Sequence, residues 1–152
     1  MKLSEALVLR ADTQKRILRI GERLRLSARV QEGEEPPENP QELMLELDRL
    51  LEQLRDLITR INQTNARATV NSGSTITEAL ARRDMLSLQY RVLQTFVKEA
   101  SETTARFSHR EIRIRPSVEV AALRHQLDSI ARERRDLDMT IQAANWTTEL
   151  ME

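Results

Sequence analysis

The stretch PQELMLELDRLLEQLRDLITRINQTNA, residues 40–66, decides the fold class. Its apolar residues recur in steps of four and three, the spacing that places side chains on one face of an α-helix. The main row is Leu43, Leu47, Leu50, Leu54, Leu57 and Ile61, and a flanking row is Met44, Leu51 and Ile58. Together the two rows are wider than the seam of a two-stranded coiled coil. The pattern therefore predicts a helix that packs inside a bundle.

The start of this helix is well marked. Asn39 has the short polar side chain typical of an N-cap, and Pro40 is at the first helical position, where its missing N–H is not needed. The preceding residues, 31–39, form an acidic, proline-rich linker in which Gly33 permits a left-handed conformation. The linker predicts a break between this helix and an earlier one.

Helical periodicity also covers residues 3–30, 77–107 and 118–145. The predicted core row of the first segment is Leu3, Leu7, Ala11, Ile17, Leu18, Ile20, Leu24 and Ala28. The candidate N-caps of the three segments are Ser4, Thr75 and Ser117, and Thr75 forms a capping box with Glu78. Four helices of similar length predict an all-α fold, a four-helix bundle of long antiparallel amphipathic helices in which residues 1–152 form one domain.

Two linkers depart from helical patterning and predict short β-like segments. Residues 67–76, RATVNSGSTI, are rich in β-branched residues around an Asn-Ser-Gly turn. In residues 110–116, Ile112 and Ile114 alternate with Arg113 and Arg115, which is typical of a half-buried strand. An isolated short strand is unstable, so the second segment is expected to pair with another linker or with a second copy of the chain.

Composition excludes several classes of protein. The chain has no cysteine, so it has no disulfide, no thiolate nucleophile and no Cys-bearing metal site. Its 24 basic and 24 acidic side chains balance, and only 3% of its residues are aromatic. No apolar run is long enough to cross a bilayer, so we expect a cytoplasmic protein without stable membrane insertion.

No pattern of catalytic residues is present. A di-iron bundle site needs Glu-x-x-His on two helices, whereas His109 and His125 follow Arg106 and Ala122 at that spacing. The glycine-rich nucleotide-binding and acyl-transfer motifs are absent as well. We therefore predict that the protein is not an enzyme and has no catalytic residues, metal site or cofactor.

Polar or aromatic residues in unusual positions are candidates for interaction. Asn62, Asn65 and Asp84 flank the 67–76 turn, where they would either form a polar pocket or serve ordinary turn and capping chemistry. Arg134 interrupts the apolar row of the fourth helix, and it would either fix register or extend to solvent. Trp146, the single tryptophan, belongs to a tail that either folds back or binds a partner.

A basic cluster offers an alternative function. Arg106, Arg110, Arg113 and Arg115 surround His109 and would neutralise phosphates of a nucleic acid. Phe107 is the one aromatic among them, and it belongs to a predicted core row. Because the chain is neutral overall, nucleic-acid binding is a less favoured hypothesis than protein–protein interaction.

Five stretches carry a resemblance to a known family: VQEGEEPPENP, INQTN, TITEALARRD, REIRIRPSVEVAAL and IQAANWTTEL. Together they resemble an uncharacterised bacterial family of short helical proteins, some of whose members are labelled septicolysin. The label would imply a membrane-active, pore-forming protein, and the resemblance brings no catalytic residues.

The leading functional hypothesis is a non-enzymatic helical scaffold or interaction module that self-associates as a homo-oligomer or binds another protein. It depends on the unpaired strand pattern of residues 110–115 and on the charged residues in the core rows.

Overall fold

The computed structural model is all-α, and it describes residues 1–102 and 114–152. Its four helices are α1 (Leu3–Leu26), α2 (Pro40–Arg67), α3 (Ile76–Ser101) and α4 (Val120–Thr147). No strand is assigned in the described residues, and no helix among them is long and apolar enough to cross a membrane. The predicted all-α class and the four long amphipathic helices are confirmed.

Two of the predicted helix starts are confirmed by their hydrogen bonds. The side chain of Asn39 accepts from the Gln41 amide at 2.9 Å, which caps α2. At the start of α3, the Glu78 amide donates to Thr75 Oγ1 at 3.2 Å and the Thr75 amide donates to Glu78 Oε2 at 2.7 Å. Both caps satisfy amides that the first turn of a helix leaves without partners.

The other two predicted caps are wrong. Ser4 lies inside α1, and the N-cap residue is Lys2. The Lys2 amide donates to Glu5 Oε2 at 2.7 Å. Helix α4 begins at Val120, because its first backbone bond runs from the Leu123 amide to the Glu119 carbonyl. Ser117 is therefore too far upstream to cap it.

Two predicted helix ends are also too late. Helix α1 stops at Leu26 rather than at residue 30, because the Ser27 amide bonds to both the Arg23 and the Leu24 carbonyl and closes the last turn. Helix α3 stops at Ser101, since Glu102 has an extended backbone. The rest of the predicted end of α3, residues 103–107, lies outside the described residues.

The chain divides into two compact units, and the first comprises residues 1–69 and 144–152. Within it α1 and α2 run antiparallel, with Ile20, Leu43 and Leu50 buried together near the linker. Ile17, Leu24 and Leu47 pack against this cluster. The main α2 row predicted from the sequence thus supplies the core of this unit.

The residues that follow α4 fold back onto the start of α1. The Leu3 amide donates to the Thr148 carbonyl at 2.9 Å, and the Leu150 amide donates to the Met1 carbonyl at 2.8 Å. The tail also reaches the end of α2, because the Met151 amide donates to Thr64 Oγ1 at 3.0 Å. The predicted fold-back of the tail is thus present, and binding of a partner by the tail stays a prediction.

The second unit comprises residues 70–143, which include α3 and most of α4. These helices are antiparallel, since Arg82 near the start of α3 pairs with Glu133 whereas Ser101 at its end accepts from Arg124. Buried apolar side chains of the unit are Val70, Ile76, Ala79, Leu86, Val97, Leu127, Ile130 and Ile141. The prediction of a single domain for the whole chain stays a prediction.

The β-like linkers are only partly described. Residues 70–74 form a tight turn, closed by a bond from the Val70 amide to the Ser74 carbonyl at 2.8 Å, with Gly73 at a φ of 85°. A turn is therefore present at 67–76, but no strand element is assigned there. Ile112 and Arg113 of the second segment lie outside the described residues, and residues 114–116 are not in a strand.

Candidate interaction surface

Helix α3 has two apolar faces. One face packs towards α4 and contains buried residues such as Ala79, Leu86 and Val97. On the opposite side lies a second row, here called the α3 stripe, which consists of Ala81, Met85, Leu88, Val92 and Phe96. Its intervals of four, three, four and four residues keep the side chains on one side of the helix.

The α3 stripe is open to solvent along its length. The exposed fractions of its four large side chains lie between 41% and 61%, and Ala81 is also classed as exposed. Scattered exposed apolar residues are common on proteins, but a contiguous row of them is typical of an interaction site. Covering the row would remove apolar area from water, which is favourable by about 25 cal/mol per Å².

The two edges of the α3 stripe differ in their charged residues. Asp84 and Arg91 lie seven residues apart along one edge, and both are exposed. Asp84 Oδ1 accepts from Arg83 Nη2 at 2.8 Å, whereas Arg91 has no ion-pair partner in the part of the chain that the structure describes. On the other edge, Arg82 is bound by Glu133 of α4, with 2.9 Å between Nε and Oε1, and Gln89 is neutral.

Two arginines that interrupt core rows find partners where α3 meets α4. Arg134 is half-buried, and its Cζ lies 5.7 Å from the centre of the Tyr90 ring, within the range of a cation–π contact. Arg83 reaches Asp138 as well as Asp84, with Nη1 3.7 Å from the Asp138 carboxylate. These arginines thus join the two helices at the rim of their shared core.

The remaining predicted interaction residues are placed separately. Asn62 is exposed and Asn65 half-buried on α2, in the first unit, whereas Asp84 belongs to the second, so their shared polar pocket stays a prediction. Trp146 is 67% exposed in the last turn of α4. Ile114 and Arg115 are exposed, but Arg106, Arg110 and Arg113 of the basic cluster lie outside the described residues.

A groove of the second unit is lined by several side chains that already have partners. It has a volume of about 780 Å³ and lies between the 70–74 turn, α3 and α4. Of its three carboxylates, Glu133 binds Arg82 and Glu78 caps α3, whereas Asp136 is exposed. Hydrogen bonds from the amide and then the hydroxyl of Thr75 lower the pKa of Glu78 below its usual value. No group of three or more potential metal ligands occurs among the described residues.

The α3 stripe is not among the interaction residues predicted from the sequence. Its signal was present, because residues 81, 85, 88, 92 and 96 repeat at helical spacing as well as the core row does. Periodicity identifies apolar rows, but which row is covered depends on the packing of α4, which lies far along the chain.

Comparisons with known proteins support the fold but bring no activity. Residues 10–150 match the model of a family described as "Family of unknown function (DUF6847)". A solved structure, described as a functionally unknown conserved protein from Corynebacterium diphtheriae, is 36% identical and aligns over 99% of each chain with a TM-score of 0.89. The comparison with curated proteins finds no match. The predicted resemblance to an uncharacterised bacterial family is confirmed, and neither description carries the septicolysin label.

Proposed function

Because the chain belongs to the family of unknown function DUF6847, we propose a function from its surface: it is a non-enzymatic interaction module that self-associates through the α3 stripe. The observation that supports this proposal is the row of four large apolar side chains left open on α3. The stripe spans 15 residue steps, about 22 Å of helix, which is long enough for helix-to-helix packing with a second copy.

We further propose that the protein is a homo-oligomer in the cytoplasm. Proteins that remain monomeric rarely keep a contiguous apolar row at the surface, because the row also favours non-specific aggregation. A second copy presents the same row at the same concentration, so pairing of like surfaces covers both at once. The septicolysin label would instead require these side chains to enter a lipid bilayer.

Sedimentation velocity over a range of protein concentrations tests the proposal. The unmodified protein is expected to form an oligomer as concentration rises. Met85→Glu and Val92→Glu are each expected to abolish it, because they would bury an unpaired charge in the contact. The matched control is Leu45→Glu, which replaces an exposed leucine on α2, far from the stripe in sequence, and should leave the oligomer intact.

Circular dichroism should show the same helix content in all four proteins, since each substitution is at an exposed position. A protein that remains monomeric at every concentration would contradict the proposal. So would an oligomer that survives both stripe substitutions.

A further inference from the structure

We propose that two copies of the chain pair through α3 in an antiparallel, two-fold arrangement, and this inference rests on the proposed function. In a two-fold interface each contact occurs twice, with residue i against residue j and residue j against residue i. The occupant of the α3 stripe is therefore the α3 stripe of the second copy. Shape and charge along the stripe both support the antiparallel direction.

Four side chains of the stripe complement each other in size when the second helix is reversed, whereas Phe96 lies beyond this overlap, opposite Thr77 of the second copy. If Met85 lies against Leu88 of the second copy, then Val92 lies against Ala81 of the second copy, because each step forward on one helix is a step back on the other. A β-branched side chain then meets the smallest one, and the two largest aliphatic side chains fill the centre. The same contacts occur a second time through the symmetry.

The charged edge of the stripe also complements itself in this register. The Asp84 edge of one helix faces the Asp84 edge of the other, which brings Asp84 close to Arg91 of the second copy, twice. Arg91 has no ion-pair partner in the described part of the single chain, and Arg83 uses only Oδ1 of Asp84. Each copy therefore brings to the contact a guanidinium that has no ion pair among residues 1–102 and 114–152, and a carboxylate oxygen that Arg83 does not use.

A parallel pair would lose this complementarity. In parallel coiled coils the opposite edges of the two seams face each other, so Asp84 would face the edge that carries Gln89. Met85 would meet Met85 and Ala81 would meet Ala81, which leaves the small residues without large partners. The antiparallel direction is the one that pairs opposite charges and fits large side chains to small ones.

Charge exchange tests the pairing of Asp84 with Arg91. Asp84→Arg and Arg91→Asp, made separately, each place like charges across the contact, and each should weaken dimerisation about tenfold. The double variant, Asp84→Arg with Arg91→Asp in one chain, should recover most of the loss, because both cross-copy pairs are restored with reversed sign. A double variant that is weaker than either single variant would overturn the antiparallel pairing.

Disulfide trapping tests the direction independently, and the cysteine-free chain needs no background substitution. A mixture of Ala81→Cys and Val92→Cys proteins should form a mixed disulfide under mild oxidation. Ala81→Cys alone should not cross-link, because its two copies would be about 16 Å apart along the helices, beyond the roughly 7 Å that a disulfide spans. If Ala81→Cys links to itself in a protein that still dimerises, the direction is wrong and the proposed self-association stands. If no dimer forms, both proposals fail.

Discussion

Arg23 ties the end of α1 to the linker, since its Nε donates to Glu38 Oε2 at 2.9 Å. The same guanidinium reaches α2, where Nη1 lies 3.5 Å from a Glu46 carboxylate oxygen. The hydrogen bond from Arg23 lowers the pKa of Glu38 below its usual range. One arginine of α1 thus contacts both the linker and α2.

Removing one and then both contacts of Arg23 should destabilise the first unit progressively. Glu38→Gln is expected to lower the midpoint of urea unfolding slightly, since both side chains are partly exposed and solvent screens the pair. Arg23→Gln should lower it further, because it also removes the contact with Glu46. Glu35→Gln, in the same linker at an exposed position, is the control and should leave the midpoint unchanged. Equal unfolding midpoints for Arg23→Gln and Glu35→Gln would show that the contacts of Arg23 with Glu38 and Glu46 do not contribute to stability.

Two neighbouring leucines on α2 should differ sharply in their contribution to stability. Leu50 is 4% exposed within the cluster of Ile20 and Leu43, whereas Leu51 is 46% exposed. Leu50→Ala should lower the free energy of unfolding by about 2–5 kcal/mol through lost burial and a cavity. Leu51→Ala should change it by about 0.5 kcal/mol or less. Urea unfolding at equal protein concentration measures both, and similar losses would contradict the assigned core.

Much of α2 and its start could be predicted from the sequence because the signals are local. The row that includes Leu43, Leu50 and Leu57 repeats too regularly for another structure, and Asn39 needs only the next amides to act as a cap. The core row of α1 is predicted less well. The apolar pattern places Leu18 in the core, but this side chain is exposed. Thr13 is buried instead, and the cost of burying its hydroxyl is lowered because the hydroxyl donates to the Leu9 carbonyl at 2.8 Å. A polar group satisfied within its own helix enters a core without any signal in the apolar pattern.

The contacts that the sequence does not predict are long-range. Nothing near Lys2 in the sequence indicates that its ammonium group will meet Glu149. Likewise, the spacing of Met85 and Val92 gives no indication that their side of α3 stays open. Both features depend on which distant segments meet, and helical periodicity carries no information about that.

The cap of α3 should make a measurable contribution to stability. Thr75→Ala removes the hydroxyl that accepts from the Glu78 amide and should cost about 0.5–2 kcal/mol of unfolding free energy. Thr75→Ser should recover most of it, and Thr77→Ala, one residue into α3, is the matched control. In Thr75→Ala the pKa of Glu78 should rise only partly towards its usual value, because the backbone amide of residue 75 still donates to the carboxylate. A pKa that does not move in an NMR titration would contradict a role for the hydroxyl.

Trp146 should report on the surface of the protein rather than its core. Because the indole is 67% exposed, its native emission is expected to resemble that of a solvated tryptophan, and acrylamide should quench it readily. Unfolding in urea should then change the emission wavelength little. Leu150→Ala, at a buried position four residues later, should destabilise the tail without altering native Trp146 quenching. A strongly blue-shifted, protected emission at low concentration would contradict this placement of the side chain.

Glu149 should make the stability of the first unit depend on acid pH. Its carboxylate lies 2.6 Å from Lys2 Nζ and 3.3 Å from the amino group of Met1. Hydrogen bonds from Lys2 and then from the amino group lower the pKa of Glu149 in the folded protein.

A carboxyl whose pKa is lower in the folded than in the unfolded state stabilises the fold above its unfolded pKa, and this contribution is lost as pH falls through the folded value. We therefore expect urea unfolding, measured from neutral to acid pH, to show that the free energy of unfolding falls less steeply with pH in Glu149→Gln than in the unmodified protein. The two curves should converge at the lowest pH. Glu152→Gln, at an exposed position three residues later, should follow the unmodified protein throughout. If Glu149→Gln instead runs parallel to the unmodified protein at every pH, the contact with Lys2 does not contribute to folding.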